Sequence, residues 1–187
     1  MITVKIILGS TREGRFGEKP ARWIFEKAKG REGVVAELLD LREYPLPFFN
    51  EAILPLARKG EYPNEVAARW AEKIREADAV IIATPEYNHG YPAVLKNALD
   101  FIYDEWNRKP VAFVGWGSVG GARAVEQLRQ VVVQLQMVAI QNAVHFSFRD
   151  ALDEKGNFVT ASFEEVGDRM LDQLLWWAKV LKSAREH

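Results

Sequence analysis

AVIIATPEYNHGYP, residues 79–92, is the stretch that decides the fold. Its first part, Ala79 to Ala83, is a short apolar run typical of a buried strand, and residues 84–92 form a turn that opens directly into a helical pattern. Open α/β sheets bind their ligands at strand-to-helix turns of this kind, beyond the carboxyl ends of the strands. The stretch therefore predicts both a parallel sheet and a ligand site.

Two other loops share the same position in the chain. The strand Val4 to Leu8 leads into GSTREGRFG, residues 9–17, and the strand Val111 to Val114 leads into GWGSVGG, residues 115–121. If the three strands are parallel neighbours, the three loops converge on one crevice.

Short apolar runs alternate with helical patterns along the whole chain, which is typical of βαβ units in a parallel sheet. The runs are apolar without alternation, so we expect helices on both faces of the sheet. The predicted fold is α/β, a three-layer α/β/α sandwich forming a single domain over residues 1–187. Strands are predicted near 2–8, 34–39, 79–84, 111–115 and 137–145, and helices near 17–29, 63–77, 92–104, 120–134 and 162–184.

Helix ends and irregular segments give further expectations. Pro63 is expected at the first position of the second helix, and Ser162 with Glu165 is expected to form a capping box at the start of the last. Residues 41–62 are long for a loop and are interpreted as a functional flap or an oligomer contact. Residues 147–161 are interpreted as a turn or a hairpin.

Composition excludes several classes of partner and chemistry. The 187 residues carry a net charge of −1, which gives no electrostatic footprint for nucleic acid or for an anionic membrane. No apolar run is long enough to span a bilayer and no signal peptide precedes the first strand, so we expect a cytoplasmic protein. With no cysteine and three scattered histidines, His89, His145 and His187, redox chemistry would have to come from a cofactor.

The first loop has the composition of an anion site. Ser10, Thr11, Arg12, Arg15 and Gly17 place hydroxyls, guanidinium groups and free backbone N–H donors at the start of a helix, where a phosphate is favoured. The P-loop spacing is not met, because Arg15-Phe16 follows Gly14 where Lys-Ser/Thr is required. The alternative is that the loop is only a helix cap with solvated arginines.

The third loop contains a formal G-x-G-x-x-G between a strand and a helix, from Gly115 to Gly120. A dinucleotide site also needs an acidic residue about 20 positions later, and residues 138–142 contain none. We therefore interpret these glycines as allowing close approach of the backbone to a flat ligand. Trp116 either flanks a planar ring or seals the edge of the sheet.

In the middle loop, Pro85 fixes the backbone, Tyr87 offers an aromatic face, and the amide of Asn88 both donates and accepts hydrogen bonds. His89 is either an acid or simply a polar residue at a loop tip.

Four motifs carry a resemblance to a known family. They are GSTREGRFG from Gly9, DLREYPLPFF from Asp40, PEYNHGYPAVLKNALD from Pro85 and GWGSVGGARA from Gly115. Together they resemble the NADPH-dependent FMN reductase family over residues 2 to about 145. The resemblance implies a flavodoxin-like fold with a five-stranded parallel sheet of order 2-1-3-4-5. It also implies bound FMN, NADPH or NADH as co-substrate, and small-molecule electron acceptors that include quinones, azo dyes, chromate and free flavin.

The resemblance also assigns roles to residues. Ser10, Arg12, Arg15, Phe16 and Gly17 would hold the FMN phosphate; Pro85, Glu86, Tyr87 and Asn88 would line the isoalloxazine and ribityl; Gly117 and Ser118 would touch the far side of the ring. Many members have Ser-x-Asn near Phe16-Gly17-Glu18, so one phosphate hydroxyl is missing here and Arg15 is expected to compensate.

Family members are commonly oligomers, which predicts a homodimer or homotetramer, with Tyr103, Trp106 and Phe48-Phe49 as candidate contacts or core residues. Two alternatives remain: a flavodoxin-type electron shuttle, and a flavin-binding regulatory protein without turnover.

Overall fold

A computed structural model of the chain describes residues 1–186. His187, one of the three histidines considered above, lies outside the described residues. Five parallel strands form one sheet of order β2-β1-β3-β4-β5, which confirms the predicted flavodoxin-like topology. The strands are β1 (Ile2–Leu8), β2 (Val34–Asp40), β3 (Ala79–Pro85), β4 (Pro110–Gly117) and β5 (Val138–Ser147).

Helices cover both faces of the sheet, as the unbroken apolar strands predict. The helices are α1 (Glu18–Lys29), α2 (Pro55–Arg58), α3 (Glu65–Arg75), α4 (Ala93–Asp100), α5 (Ala122–Gln134), α6 (Phe148–Ala151) and α7 (Glu164–Arg185). Helices α1 and α7 pack on one face with Val4, Ile6 and Leu8. Helices α3, α4 and α5 pack on the other face with Ile7 and with Val80 and Ile82 of β3. The three-layer sandwich is thus observed.

Two helix starts differ from the prediction. Helix α3 begins at Glu65, because the side chain of Asn64 accepts a hydrogen bond of 3.0 Å from the N–H of Ala67; Pro63 therefore precedes the cap. The predicted capping box of Ser162 is also wrong, since Ser162 lies in a 3-10 turn and α7 begins at Glu164 without a side-chain cap.

The third predicted helix is shorter than expected. Helix α4 ends at Asp100, and a separate 3-10 helix, Asp104–Trp106, follows it. Trp106 is fully buried and donates from Nε1 to the carbonyl of Leu99, so it belongs to the core and is no contact residue.

The segment of residues 41–62 is ordered against α4. The side chain of Asn97 accepts from the N–H of Phe49 (3.0 Å) and donates to the carbonyl of Pro47 (2.7 Å). Residues 147–161 form α6 followed by a turn closed by a bridge between Leu152 and Phe158, which confirms the hairpin prediction and adds a short helix. Among residues 1–186, no helix combines the length and the apolarity that crossing a membrane requires.

Candidate active site

A cleft of about 270 Å³ opens where β1, β3 and β4 end, which is the point at which the predicted loops converge. Nine of the eleven residues proposed from sequence line it, and Gly17 and Asn88 do not. Trp116 and Phe148 complete the wall. The lining residues are Ser10, Arg12, Arg15, Phe16, Pro85, Glu86, Tyr87, Trp116, Gly117, Ser118 and Phe148.

A larger cavity of about 550 Å³ lies at the opposite end of the strands, beside Ile2, Val34 and Lys179. It borders the amino ends of β1 and β2, whereas ligands of open α/β sheets bind beyond the carboxyl ends. Position in the fold therefore outweighs size, and the smaller cleft is the candidate active site.

The first two loops are joined inside the cleft by a hydrogen bond of 2.8 Å between Ser10 Oγ and the Tyr87 hydroxyl. Ser10 is buried, and Tyr87 is partly exposed. Arg12 is exposed, and within residues 1–186 its guanidinium has neither a hydrogen bond nor an ion pair. The loop therefore presents a cation that is available to an anionic ligand.

Arg15 has a different environment, because its guanidinium is held between carboxylates. Its side chain is 3% exposed. Nη1 donates to Asp40 Oδ1 (2.8 Å) and to the Ser10 carbonyl. Nη2 donates to Asp40 Oδ2 and to Glu18 (3.2 Å), and Nε also donates to Glu18 (3.3 Å). The hydrogen bonds that Arg15 donates to Asp40 raise the pKa of Arg15. Burial would raise the pKa of Asp40, but the hydrogen bonds from Arg15 outweigh it and the pKa is lowered.

Aromatic rings form one wall of the cleft. The rings of Phe16 and Phe148 meet edge to face at 5.4 Å, and Trp116 is 3% exposed. Gly17 lies behind this wall, since a Cβ there would come within 2.3 Å of the Trp116 ring. Gly17 therefore makes room for Trp116, which seals the cleft from the side of β4. Phe148 was not foreseen, because nothing local in residues 147–161 indicates that α6 folds back to the cleft.

The middle loop ends in a tight turn. Tyr87 and Gly90 exchange backbone hydrogen bonds of 2.8 and 3.0 Å, and the two residues between them, Asn88 and His89, both have positive φ, 50° and 71°. This is the arrangement of two-residue turns that favour asparagine. Asn88 thus serves the turn and stands outside the cleft, and its predicted contact with flavin is untested. His89 Nε2 lies 2.8 Å from Arg123 Nη1.

Glu86 links the middle loop to α5. Its side chain is 5% exposed and accepts from Arg123 Nε (2.6 Å) and from the N–H of Arg123 (3.1 Å) in the first turn of the helix. Burial would raise the pKa of Glu86, but these hydrogen bonds outweigh it and lower the pKa. The carboxylate is therefore charged and already satisfied, and it faces the helix.

The glycines of the third loop pack mainly against protein. A Cβ on Gly115 would meet the carbonyl of Gly120 at 2.6 Å, and one on Gly120 would meet His145 at 2.8 Å. Only Gly117, with φ 154°, lines the cleft, beside the exposed Ser118. The predicted approach of the backbone to a flat ligand therefore stays a prediction for Gly117, whereas Gly115 and Gly120 make room for the chain itself.

The sheet order and the cleft at its switch point define a protein of the flavodoxin-like class. The family model for NADPH-dependent FMN reductase matches residues 2–150, and the chain belongs to that family.

Known relatives agree with this assignment. An NAD(P)H-dependent FMN reductase of Schizosaccharomyces pombe is 40% identical over 134 residues, covering 72% of this chain and 67% of the relative. A quinone reductase of Pseudomonas putida is 34% identical over 146 residues, covering 74% of each. Among solved structures, the flavoenzyme NAD(P)H:(acceptor) oxidoreductase FerB of Paracoccus denitrificans superposes with a TM-score of 0.76 at 25% identity, covering 96% of this chain and 98% of FerB. The expected FMN-dependent oxidoreductase using NAD(P)H is thereby confirmed.

Proposed function

We propose that the cleft binds FMN with its phosphate at residues 9–17 and its ring between Pro85–Tyr87 and Gly117–Ser118, and that quinones are the acceptors. The observation that carries this proposal is the meeting of three loops at one cleft, with an aromatic wall along its side. At one end lies the guanidinium of Arg12, which has no partner among residues 1–186.

The residues that line the cleft fit FMN. Arg12 supplies a positive charge. Among residues 1–186 the only carboxylate that lines the cleft is that of Glu86, and it is paired with Arg123, so its repulsion of a phosphate is weakened. Pro85 and the hydrogen-bonded turn after Tyr87 keep the middle loop rigid, which favours a planar ligand.

When bound, FMN supplies hydride acceptance from NAD(P)H and electron transfer to the acceptor. The chain contributes binding and orientation. Tyr87 is held through its hydroxyl by Ser10, Trp116 closes the β4 side of the cleft to water, and Gly117 allows close approach of its backbone. No side chain is required as a nucleophile, so the acceptor is selected by shape and access. We also propose that the enzyme works in the cytoplasm, where NAD(P)H is supplied.

An absorption spectrum from about 350 to 500 nm, recorded with FMN and then with anaerobic NADPH and NADH, tests the proposal. Flavin bands that bleach on reduction and return with a quinone are expected. Bound flavin that resists both nucleotides would favour the electron shuttle or the regulatory protein. A protein that binds no FMN would overturn the proposed site.

Replacing Arg12 by alanine is expected to weaken FMN binding by about 1.5–3 kcal/mol, the range for hydrogen bonds to charged groups. Titration of flavin fluorescence would measure this change. Arg22, an exposed arginine on α1, provides the control, and Arg22→Ala should leave the affinity unchanged. An unaltered dissociation constant in Arg12→Ala would remove Arg12 from the site.

We further propose that the chain forms a homodimer or homotetramer through residues 48–56. Phe48 is 81% exposed and Leu54 is 65% exposed, and Ile53 and Leu56 are exposed beside them. Such a concentration of apolar side chains is unusual on a monomer surface and marks an interaction site. Light scattering at micromolar concentration should give at least twice the mass of 21.3 kDa, and Phe48→Ser should lower it. A monomeric wild type would contradict this proposal.

A further inference from the structure

The backbone of the first loop is held from one side by two arginines. Three successive carbonyls accept guanidinium hydrogen bonds: Ser10 O from Arg15 Nη1, Thr11 O from Arg42 Nε (3.4 Å) and Arg12 O from Arg42 Nη2 (2.6 Å). Arg42 belongs to the 3-10 turn after β2, so a neighbouring strand end fixes the loop that leaves β1.

Two carboxylates join these arginines. Asp40 accepts from both terminal nitrogens of Arg15 and, at 2.9 Å, from the N–H of Arg42. Glu18 Oε1 accepts from Arg15 and lies 3.6 Å from Arg42 Nη1. We call Arg15, Glu18, Asp40 and Arg42 the loop clamp.

The clamp determines where the loop's N–H groups point. In a planar trans peptide, the N–H points opposite to the carbonyl of the same unit. Because the carbonyls of Ser10, Thr11 and Arg12 face the arginines, the N–H groups of the three following residues, Thr11, Arg12 and Glu13, point away from the clamp. Within residues 1–186, those of Thr11 and Glu13 have no acceptor, and that of Arg12 has only Ser10 Oγ at 3.4 Å. Three successive N–H groups on one side of the chain, two of them without an acceptor among residues 1–186, are suited to binding an anion.

We propose that Arg15 and Arg42 are positioning residues for the FMN phosphate, which act by orienting the loop peptides and not by touching the anion. The inference rests on the proposed function and assigns Arg15 a role other than direct compensation for the missing hydroxyl. All five N–H donors of the Arg15 guanidinium are already used, by Ser10, Glu18 and Asp40. A direct phosphate contact would require it to give up bonds in a nearly buried position.

Comparing FMN with riboflavin, which lacks the phosphate, isolates this role. Fluorescence titration should show that Arg42→Ala and Asp40→Asn each weaken FMN binding by about tenfold, the scale of one lost hydrogen bond to a charged group, with riboflavin affinity within about twofold. Arg31→Ala and Asp168→Asn are matched controls, because Arg31 likewise donates to a carboxylate and a carbonyl, both of Asp168, away from the cleft. Both controls should bind FMN like the wild type.

Asp40→Asn separates positioning from direct contact by the sign of its effect. If Arg15 bound the phosphate itself, losing Asp40 would free the guanidinium and remove a nearby negative charge, so FMN affinity would be unchanged or higher. That result, or equal losses for FMN and riboflavin, would overturn the inference. Arg42 is partly exposed, so Arg42→Ala carries the test if Asp40→Asn fails to fold. A wild type that binds neither flavin would instead refute the proposed function.

Discussion

Gly121→Ala is expected to lower the free energy of unfolding by about 2–5 kcal/mol, the sum of two costs at one position. Gly121 has φ 73°, a left-handed conformation that costs other residues about 1–2 kcal/mol. A Cβ there would also come within 2.7 Å of the Trp116 nitrogen and 2.9 Å of Gly115 Cα. Both neighbours are backbone, so they have no flexible side chain to move aside, and overpacking adds about 1–3 kcal/mol.

Gly14→Ala is the matched control for this measurement. Gly14 has φ 60°, but no atom of residues 1–186 lies within 4 Å of a Cβ built on it, so its substitution carries only the conformational cost. Urea unfolding of both variants without added flavin would give the two free energies, and their difference isolates the clash. Equal losses in the two variants would show that the third loop does not pack on itself as described.

The architecture was predictable because each of its signals is local or periodic. Uninterrupted apolar runs such as Ala79 to Ala83 require cover on both faces, and their alternation with helical patterns requires parallel crossovers. The strand order itself came from the resemblance. Helix starts were less predictable, because a cap depends on which side-chain oxygen reaches a free N–H, and Asn64 supplied it where proline was the conspicuous residue.

The location of the site was predictable for a related reason, since loops after neighbouring parallel strands must meet. The pairing of charged residues inside the site was not predictable. Arg15 finds Asp40 at a separation of 25 residues, and Glu86 finds Arg123 at 37 residues. A sequence pattern records that these charged residues exist but not which ones the fold brings together. An arginine that looks like a phosphate ligand in the first loop therefore turned out to be held by carboxylates.

Glu86→Gln is expected to lower the free energy of unfolding by about 2–3 kcal/mol at pH 7. Breaking a buried ion pair costs more than this, but Arg123 is 40% exposed and water would partly solvate it. Glutamine keeps the shape and one acceptor oxygen, so the loss reports the charge that binds Arg123 and the start of α5. Glu126→Gln, at an exposed position on the same helix, is the control and should have an effect near zero.

The pH dependence of this loss follows from the lowered pKa of Glu86. A carboxylate with a lower pKa in the folded state stabilises the protein above its ordinary value near 4.5, and this contribution is lost as the pH falls through the folded value. The difference between wild type and Glu86→Gln should thus be constant at neutral pH and shrink below about pH 4.5. A constant difference down to low pH would show that packing, and not charge, holds Glu86. The backbone N–H of Glu86 also donates to the Trp116 carbonyl at 3.1 Å, so Glu86 links the start of α5, through its carboxylate, to the wall of the cleft, through its backbone.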